Sequence, residues 1–221
     1  MKKNVLAVLA LATLTFASCK KDAPVSNPTE VSETPQNAVS YNLATEESVI
    51  NWKGEKMSGD NHTGDLKLSE GAVSVVDGKL TNGVFVIDMN SITVTDIPAD
   101  DENNGYLVGH LKGSNEENQD HFFNVAKYPT AKFEIANVTE TENEGKVTIE
   151  GNLTLKETTK PVKFDAVVTV TDNDVLITTE EFAFDRTEFG VNYNSGKLFQ
   201  DLGDKVIKDE VKVKLSVKAT K

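Results

Sequence analysis

Few residues of this 221-residue chain have the types and spacing that catalysis or metal binding requires. Its three histidines, His62, His110 and His121, lack the neighbouring ligands of the common zinc motifs, and we expect each to hydrogen-bond locally. There is no Gly-x-Ser-x-Gly elbow, phosphate-binding glycine loop or dinucleotide fingerprint. The 35 acidic residues are too many for a catalytic pair to be singled out. The sequence therefore predicts no enzyme, no metal and no cofactor.

Arg186 is the only arginine, and it lies among aromatic residues directly after Asp185. Two roles fit a guanidinium in this setting. It could pair with a carboxylate at one end of a barrel, because its planar fork matches carboxylate geometry. It could also bind the anionic head group of a ligand.

The stretch from Gly109 to Ile135 is the most unusual part of the sequence. A polar run leads to the pair Phe122 and Phe123, and Pro129 then stops any helix before alternating strand residues begin. This pattern predicts a short helical segment around residues 116–126. The segment would be either a plug across one end of a barrel or a connection anchored in the core without any ligand.

The N-terminus has the pattern of an export signal. Two lysines precede an apolar run, and small residues lead to Cys19, the only cysteine. The apolar run is too short for an ordinary transmembrane helix of about 20 residues. The pattern resembles the lipobox of bacterial lipoproteins, which implies cleavage after residue 18 and acylation of Cys19. We therefore expect a lipid-anchored protein of the bacterial cell envelope, on its periplasmic or cell-surface face.

Residues 19–40 contain three prolines among polar residues and almost no apolar content, which predicts a disordered linker. Residues 41–221 are enough for one domain. Removing the signal with its two lysines leaves 21 basic against 35 acidic residues, a net charge of −14. Such a surface disfavours nucleic acid as a partner.

The domain alternates apolar and polar residues over many short segments, and turn dipeptides such as Asp77-Gly78 and Asn82-Gly83 separate them. This pattern predicts an all-β fold, an extended antiparallel lipocalin-like β-barrel of about eight strands. Closure removes exposed strand edges, and about eight strands can just hold one small ligand.

Six segments, in this order, resemble the YceI-like family over residues 45–218. They are His62-Thr-Gly64, His110-Leu-Lys112, Phe122-Phe123, Tyr128 to Phe133, Gly151 to Val162 and Asp185 to Gly190. Two features depart from the family pattern. Glu157 replaces a turn glycine, and residues 115–119 lengthen the polar stretch before the aromatic pair.

The resemblance implies a barrel with a long apolar interior that binds polyisoprenoid or quinone-like lipids. It supplies no catalytic residue. The candidate lining residues share a large apolar side chain on a predicted strand or in the plug, with Arg186 added for its position. They are Ile50, Trp52, Phe85, Phe122, Phe123, Phe133, Phe164, Phe182, Phe184 and Arg186.

Three functions remain open from the sequence. The first is a lipid-anchored carrier of an isoprenoid-type lipid, and the second is a structural lipoprotein whose barrel is filled by its own side chains. The third, hydrolysis of an envelope glycan or lipid, would need two acids or a histidine and an acid to converge in a cleft. A homodimer is left open as well.

Overall fold

The alternating segments form ten antiparallel strands in a computed structural model that describes residues 27–221. Inward-facing apolar residues and outward-facing polar residues give each strand one buried and one solvated face. The predicted all-β fold is confirmed. The strands are β1 (Val39–Leu43), β2 (Val49–Glu55), β3 (Asn61–Val76), β4 (Lys79–Asp88), β5 (Thr130–Glu140), β6 (Lys146–Leu155), β7 (Thr158–Val170), β8 (Asp174–Thr178), β9 (Phe182–Asp185) and β10 (Glu210–Thr220).

The strands close into a ring because β10 pairs with β2 on one side and with β8 and β9 on the other. β1 and β2 share one place in the ring, between β3 and β10, and a 3-10 turn at Thr45–Glu47 separates them. β8 and β9 share another place beside β10. The ten strands therefore fill eight places, as the sequence predicts.

Along part of one side, the ring is held by side chains and not by strand pairing. β7 pairs with β8 only over Val167–Val170. Beyond that point, the ring of Phe164 on β7 stacks on Phe182 of β9, with centroids 4.4 Å apart.

The main helix lies earlier than predicted. α1 spans Glu102–Lys112, whereas the predicted segment, 116–126, contains only a 3-10 turn at Glu116–Asn118. The Asp101 side chain caps α1 by accepting from Asn103 N. Gly113 ends it in the left-handed conformation at φ 71°, so the helix cannot reach the aromatic pair. The sequence hid α1 because its first turn is wholly polar and has no apolar periodicity.

Within the described residues, no helix is long and apolar enough to cross a membrane. The predicted signal peptide, Cys19 and the linker as far as residue 26 lie outside those residues.

The remainder of the predicted linker differs from a disordered spacer. β1 begins at Val39, and residues 27–38 lie along the outer wall of the barrel. The Asn152 amide accepts from Thr29 N at 2.8 Å and donates to Thr29 O at 2.7 Å, while Asn82 donates to Thr34 at 2.9 Å. The polar composition hid this contact, because hydrogen bonds from outward-facing asparagines hold the segment and apolar burial does not.

Candidate functional site

The interior of the barrel is filled at one end and hollow at the other. At the end formed by the β3–β4, β5–β6 and β7–β8 turns, the core residues pack against one another and do not border the cavity. We call this the turn end, and its core includes Tyr41, Val73, Val75, Leu80, Ala166, Val175 and Ala219. Towards the opposite end the side chains leave a cavity of about 200 Å³. The cavity is aliphatic and aromatic apart from Gly54 and Arg186.

All ten candidate residues from the sequence lie on the wall of this cavity. Strands position Ile50, Trp52, Phe85, Phe133, Phe164, Phe182 and Phe184, the stretch after α1 positions Phe122 and Phe123, and Arg186 follows β9. Alternation along the strands explains the agreement, since residues of one parity all face inwards. Whether these residues bind a ligand stays a prediction.

Aromatic rings form one wall of the cavity. The ring of Phe164 lies 4.4 Å from that of Phe182 and 5.6 Å from that of Phe133, measured between centroids. Gly151 makes room for Phe133, because a Cβ there would lie only 2.4 Å from the Phe133 ring. The geometry suits a ligand that presents methyl and methylene groups to flat apolar surfaces.

Arg186 is held as a structural residue. It is 3 % exposed, and it donates to the carbonyls of Val191, Ile207 and Lys208 at 2.8–3.2 Å. Its Nη2 lies 3.7 Å from Asp209 Oδ1. Burial lowers the pKa of the guanidinium, and the charges of Asp209 and Asp185 oppose that shift. Of the two roles that the sequence left open, the structure favours the ion pair, with Asp209 as the nearer carboxylate.

A plug closes the hollow end of the barrel. We define the plug as α1 and residues 113–128, and we call this the plug end. Leu111, Phe122 and Phe123 border the cavity, and Phe123 N donates to Leu111 O across the turn that follows α1. The stretch from Gly109 therefore closes a barrel end and lines its cavity, as one of the two sequence hypotheses predicted.

Two histidines of the plug contact Tyr193 in the loop between β9 and β10. His110 Nε2 and His121 Nδ1 share a hydrogen bond at 2.8 Å. The His121 ring stacks on Tyr193 at 4.2 Å, and the His110 ring lies 5.1 Å from the ring of Phe122, which borders the cavity. Burial lowers the pKa of His110, and the charge of His121 lowers it further. The pair is therefore held together best when at least one ring is neutral, because a doubly charged pair has no acceptor nitrogen.

The third histidine belongs to a different cluster. His62 Nδ1 lies 2.8 Å from Asp96 Oδ2 on the outside of the barrel. Among the residues that the structure describes, no group of three or more histidine, cysteine and acidic side chains is placed to hold a metal.

The residues predicted from the sequence do not include Tyr193 or the aliphatic lining from β10 and the loop before it. Tyr193 stands in a polar loop without periodicity, so nothing in its surroundings marked it. The alternation of Val211, Val213, Leu215 and Val217 was visible. It could have added these residues to the candidates, since all four border the cavity.

Two solved structures resemble this fold. BcnA of Burkholderia cenocepacia aligns at a TM-score of 0.60 and 19% identity, covering 80% of this chain and 99% of that one. A domain from Saccharophagus degradans described as polyisoprenoid-binding, and as implicated in plant cell wall breakdown, aligns at 0.57 and 15% identity, covering 81% and 97%. Both show the fold. Comparison with curated proteins gave no match.

The family comparison is more direct, because it matches the sequence over most of the barrel. The model of the YceI-like domain matches residues 41–219, from β1 to the end of β10. This range includes every residue of the cavity wall. The chain therefore belongs to the YceI-like family.

Proposed function

We propose that this protein binds the chain of an isoprenoid-type lipid, a polyprenol or a quinone-like molecule, inside its barrel and has no enzymatic activity. The observation that carries the proposal is the continuous apolar cavity that ends at the aromatic plug. Family membership supports it, as does the description of the Saccharophagus degradans domain as polyisoprenoid-binding. Methyl-branched chains gain about 25 cal/mol per Å² of apolar area that they bury.

The volume of the cavity narrows the ligand class. At about 200 Å³ it is smaller than the ~300–1,000 Å³ typical of pockets for drug-sized ligands. A single slender chain suits this space better than a bulky ring system. The prenyl chain would therefore occupy the barrel, while a ring or head group would lie near the plug.

The second part of the proposal concerns location. A signal pattern that ends at Cys19 supports a lipid anchor and a place in the bacterial cell envelope. Several acyl chains on one residue would hold the protein stably, because each buried methylene contributes about 0.8 kcal/mol. The protein would then hold or carry its ligand beside a membrane.

The alternative, a structural protein whose barrel is filled by its own side chains, agrees with the turn end and not with the plug end. The turn end is filled by its own side chains, as a scaffold without a ligand would be. The hollow half argues for the binding role, since a cavity loses dispersion contacts that a scaffold would keep.

Native mass spectrometry of the full chain purified from a bacterial envelope, followed by organic extraction, tests the proposal. We expect a discrete added mass that resolves into a prenyl-type lipid. Ala131→Phe would fill the cavity from its wall and remove this mass, whereas Val167→Phe on the outer face of β7 would keep it. A wild-type chain that stays free of lipid after incubation with polyprenols and quinones would refute the carrier function.

A further inference from the structure

The four most exposed large apolar side chains of the described residues lie at the plug end. Met57, Tyr106, Leu198 and Phe199 are 65%, 71%, 55% and 49% exposed. The other exposed large apolar residues of the described chain are three valines and Leu176, each 41–42% exposed. We call the first four residues the apolar rim.

Three separate segments bring the rim to one end of the barrel. Met57 lies in the β2–β3 turn, where its N–H donates to Val206 O. Phe199 N donates to Ser195 O, and Ser195 bridges to Ile207 beside that turn. Tyr106 is on α1, one turn before His110, whose ring contacts Tyr193 at 4.9 Å. The rim therefore lies at the plug end, with Tyr106 on the plug itself and the other three residues on the turn and loop beside it.

The tether (residues 27–38) runs towards the same end. It leaves β1 near the β3–β4 turn, crosses Asn82 on β4 and reaches Asn152 on β6. Asn152 lies three residues before the end of β6 at the plug, about 10 Å, and six residues from its start at the turn end, about 20 Å. Followed towards its N-terminus, the tether thus advances from the turn end towards the plug end as far as Asn152.

The length of chain before the tether limits where its anchor can lie. Cys19 precedes Thr29 by ten residues, which span at most about 33–36 Å. An acylated Cys19 could therefore bring either end of β6 to the bilayer while Thr29 stays bound to Asn152, and the plug end is the nearer of the two.

From these two observations we propose that the apolar rim docks on the surface of a phospholipid bilayer, with the plug facing the membrane. This orientation rests on the proposed function and gives it a route, since a lipid chain could enter the barrel without crossing water. Attraction is apolar, because the chain carries a net charge of −12 and its mature form −14. Docking should therefore not weaken as salt rises.

Photo-crosslinking in the full, membrane-bound chain tests this proposal. A benzoylphenylalanine replaces Phe199 or Tyr106 in the rim, or Leu176 on the outer wall near the turn end as the matched control. The chain is displayed on vesicles of phosphatidylcholine and phosphatidylethanolamine. We expect phospholipid adducts at the two rim positions to exceed those at the control about tenfold. Equal yields, a higher yield at Leu176, or no adducts at the rim would overturn the orientation.

A second variant separates docking from the placement of the probe. With the probe at Tyr106, the double change Leu198→Ser and Phe199→Ser should lower adduct yield about tenfold, because two exposed apolar side chains are lost. Val167→Ser with Leu176→Ser should leave it unchanged. An unchanged yield in the rim variant would overturn the proposal.

The outcome is independent of the proposed function. Adducts to phospholipid report docking whether or not the barrel holds a ligand, whereas native mass spectrometry reports the ligand whether or not the rim docks. Rim adducts on a lipid-free protein would keep the orientation and remove the carrier role. A lipid-loaded protein without rim adducts would do the reverse.

Discussion

The two ends of this barrel are built from the same strands and differ in what fills them. At the turn end, short connections bring neighbouring strands together, and small and branched residues such as Val73 and Val175 close the core completely. At the plug end, large aromatic residues border a cavity, and a buried arginine and two histidines hold long connecting segments. One end is filled by its own side chains, and the other encloses a cavity.

Polar residues buried at the plug end need hydrogen-bond partners that the apolar core of the turn end does not need. An arginine inside the barrel needs a partner for each buried N–H group, and long loops supply carbonyls that tight turns could not. We expect the turn end to keep its structure under conditions in which the plug end changes conformation. Changes at the two ends should therefore affect stability, proteolysis and pH dependence differently.

Arg186→Ala should destabilise the protein most, by about 3–5 kcal/mol. The change leaves Asp209 without its buried partner and three carbonyls without a donor. Urea unfolding measures the loss. Lys197→Ala is the matched control, because Lys197 also approaches Asp209, at 3.5 Å, but is exposed. It should cost distinctly less, because an exposed ion pair contributes little to stability. Similar losses for both variants would contradict a special role for the buried guanidinium.

Leu80→Ala at the turn end should cost about 2–5 kcal/mol, as is usual for a leucine in a filled core. Leu153→Ala, on the cavity wall, should cost distinctly less, because this leucine already lacks neighbours on one side. The midpoints of urea unfolding give both values. If the two variants lose equal stability, the barrel is not divided into a filled and a hollow half.

Asn152→Ala should loosen the tether at a loss of about 1 kcal/mol, because it removes two of its hydrogen bonds to the wall and leaves those that join Thr29 to Glu150 and Thr34 to Asn82. Limited proteolysis should then cleave residues 27–38 faster while the barrel stays resistant. Thr148→Ala removes an outer-face hydrogen bond on the same strand, to Asp165, and should not change the cleavage rate. A tether that is cut equally fast in the wild type would show that it does not remain on the wall.

Acidification should loosen the plug before the turn end. Burial and the charge of His121 hold the pKa of His110 below its ordinary value of 6.5. The unfolded chain therefore takes up this proton more readily than the folded protein. Stability from the neutral pair is complete above that value and is lost as the pH falls below it.

Hydrogen exchange of plug amides between about pH 7 and pH 5, corrected for intrinsic rates, measures this effect. Amides of the turn end should change little. His121→Phe keeps an aromatic ring against Tyr193 and removes the second charge, so it should weaken the pH dependence. Equal pH dependence in both proteins would rule out the histidine pair as its source.

Much of the site could be predicted from the sequence, because alternation assigns each strand residue to the inside or the outside. Ile50, Phe85 and Phe164 reach the cavity wall for that reason alone. The predicted position of the helix was wrong, because caps at Asp101 and Gly113 define the ends of α1 and apolar periodicity does not. The bound tether was missed because two outward-facing asparagines cannot be distinguished in the sequence from solvated ones.

Alternation along the chain is enough to predict that it forms a barrel and which residues face the interior, and the N-terminal composition is enough to show that Cys19 ends a signal pattern. Periodicity is a local property, and neighbouring residues are enough to establish it. The folded structure was needed to show that one end of the interior is hollow, that Arg186 is hydrogen-bonded by the loops around it, and that His110 contacts His121 and Tyr193. Those outcomes depend on how side chains from distant strands fill a common volume, which no single segment specifies.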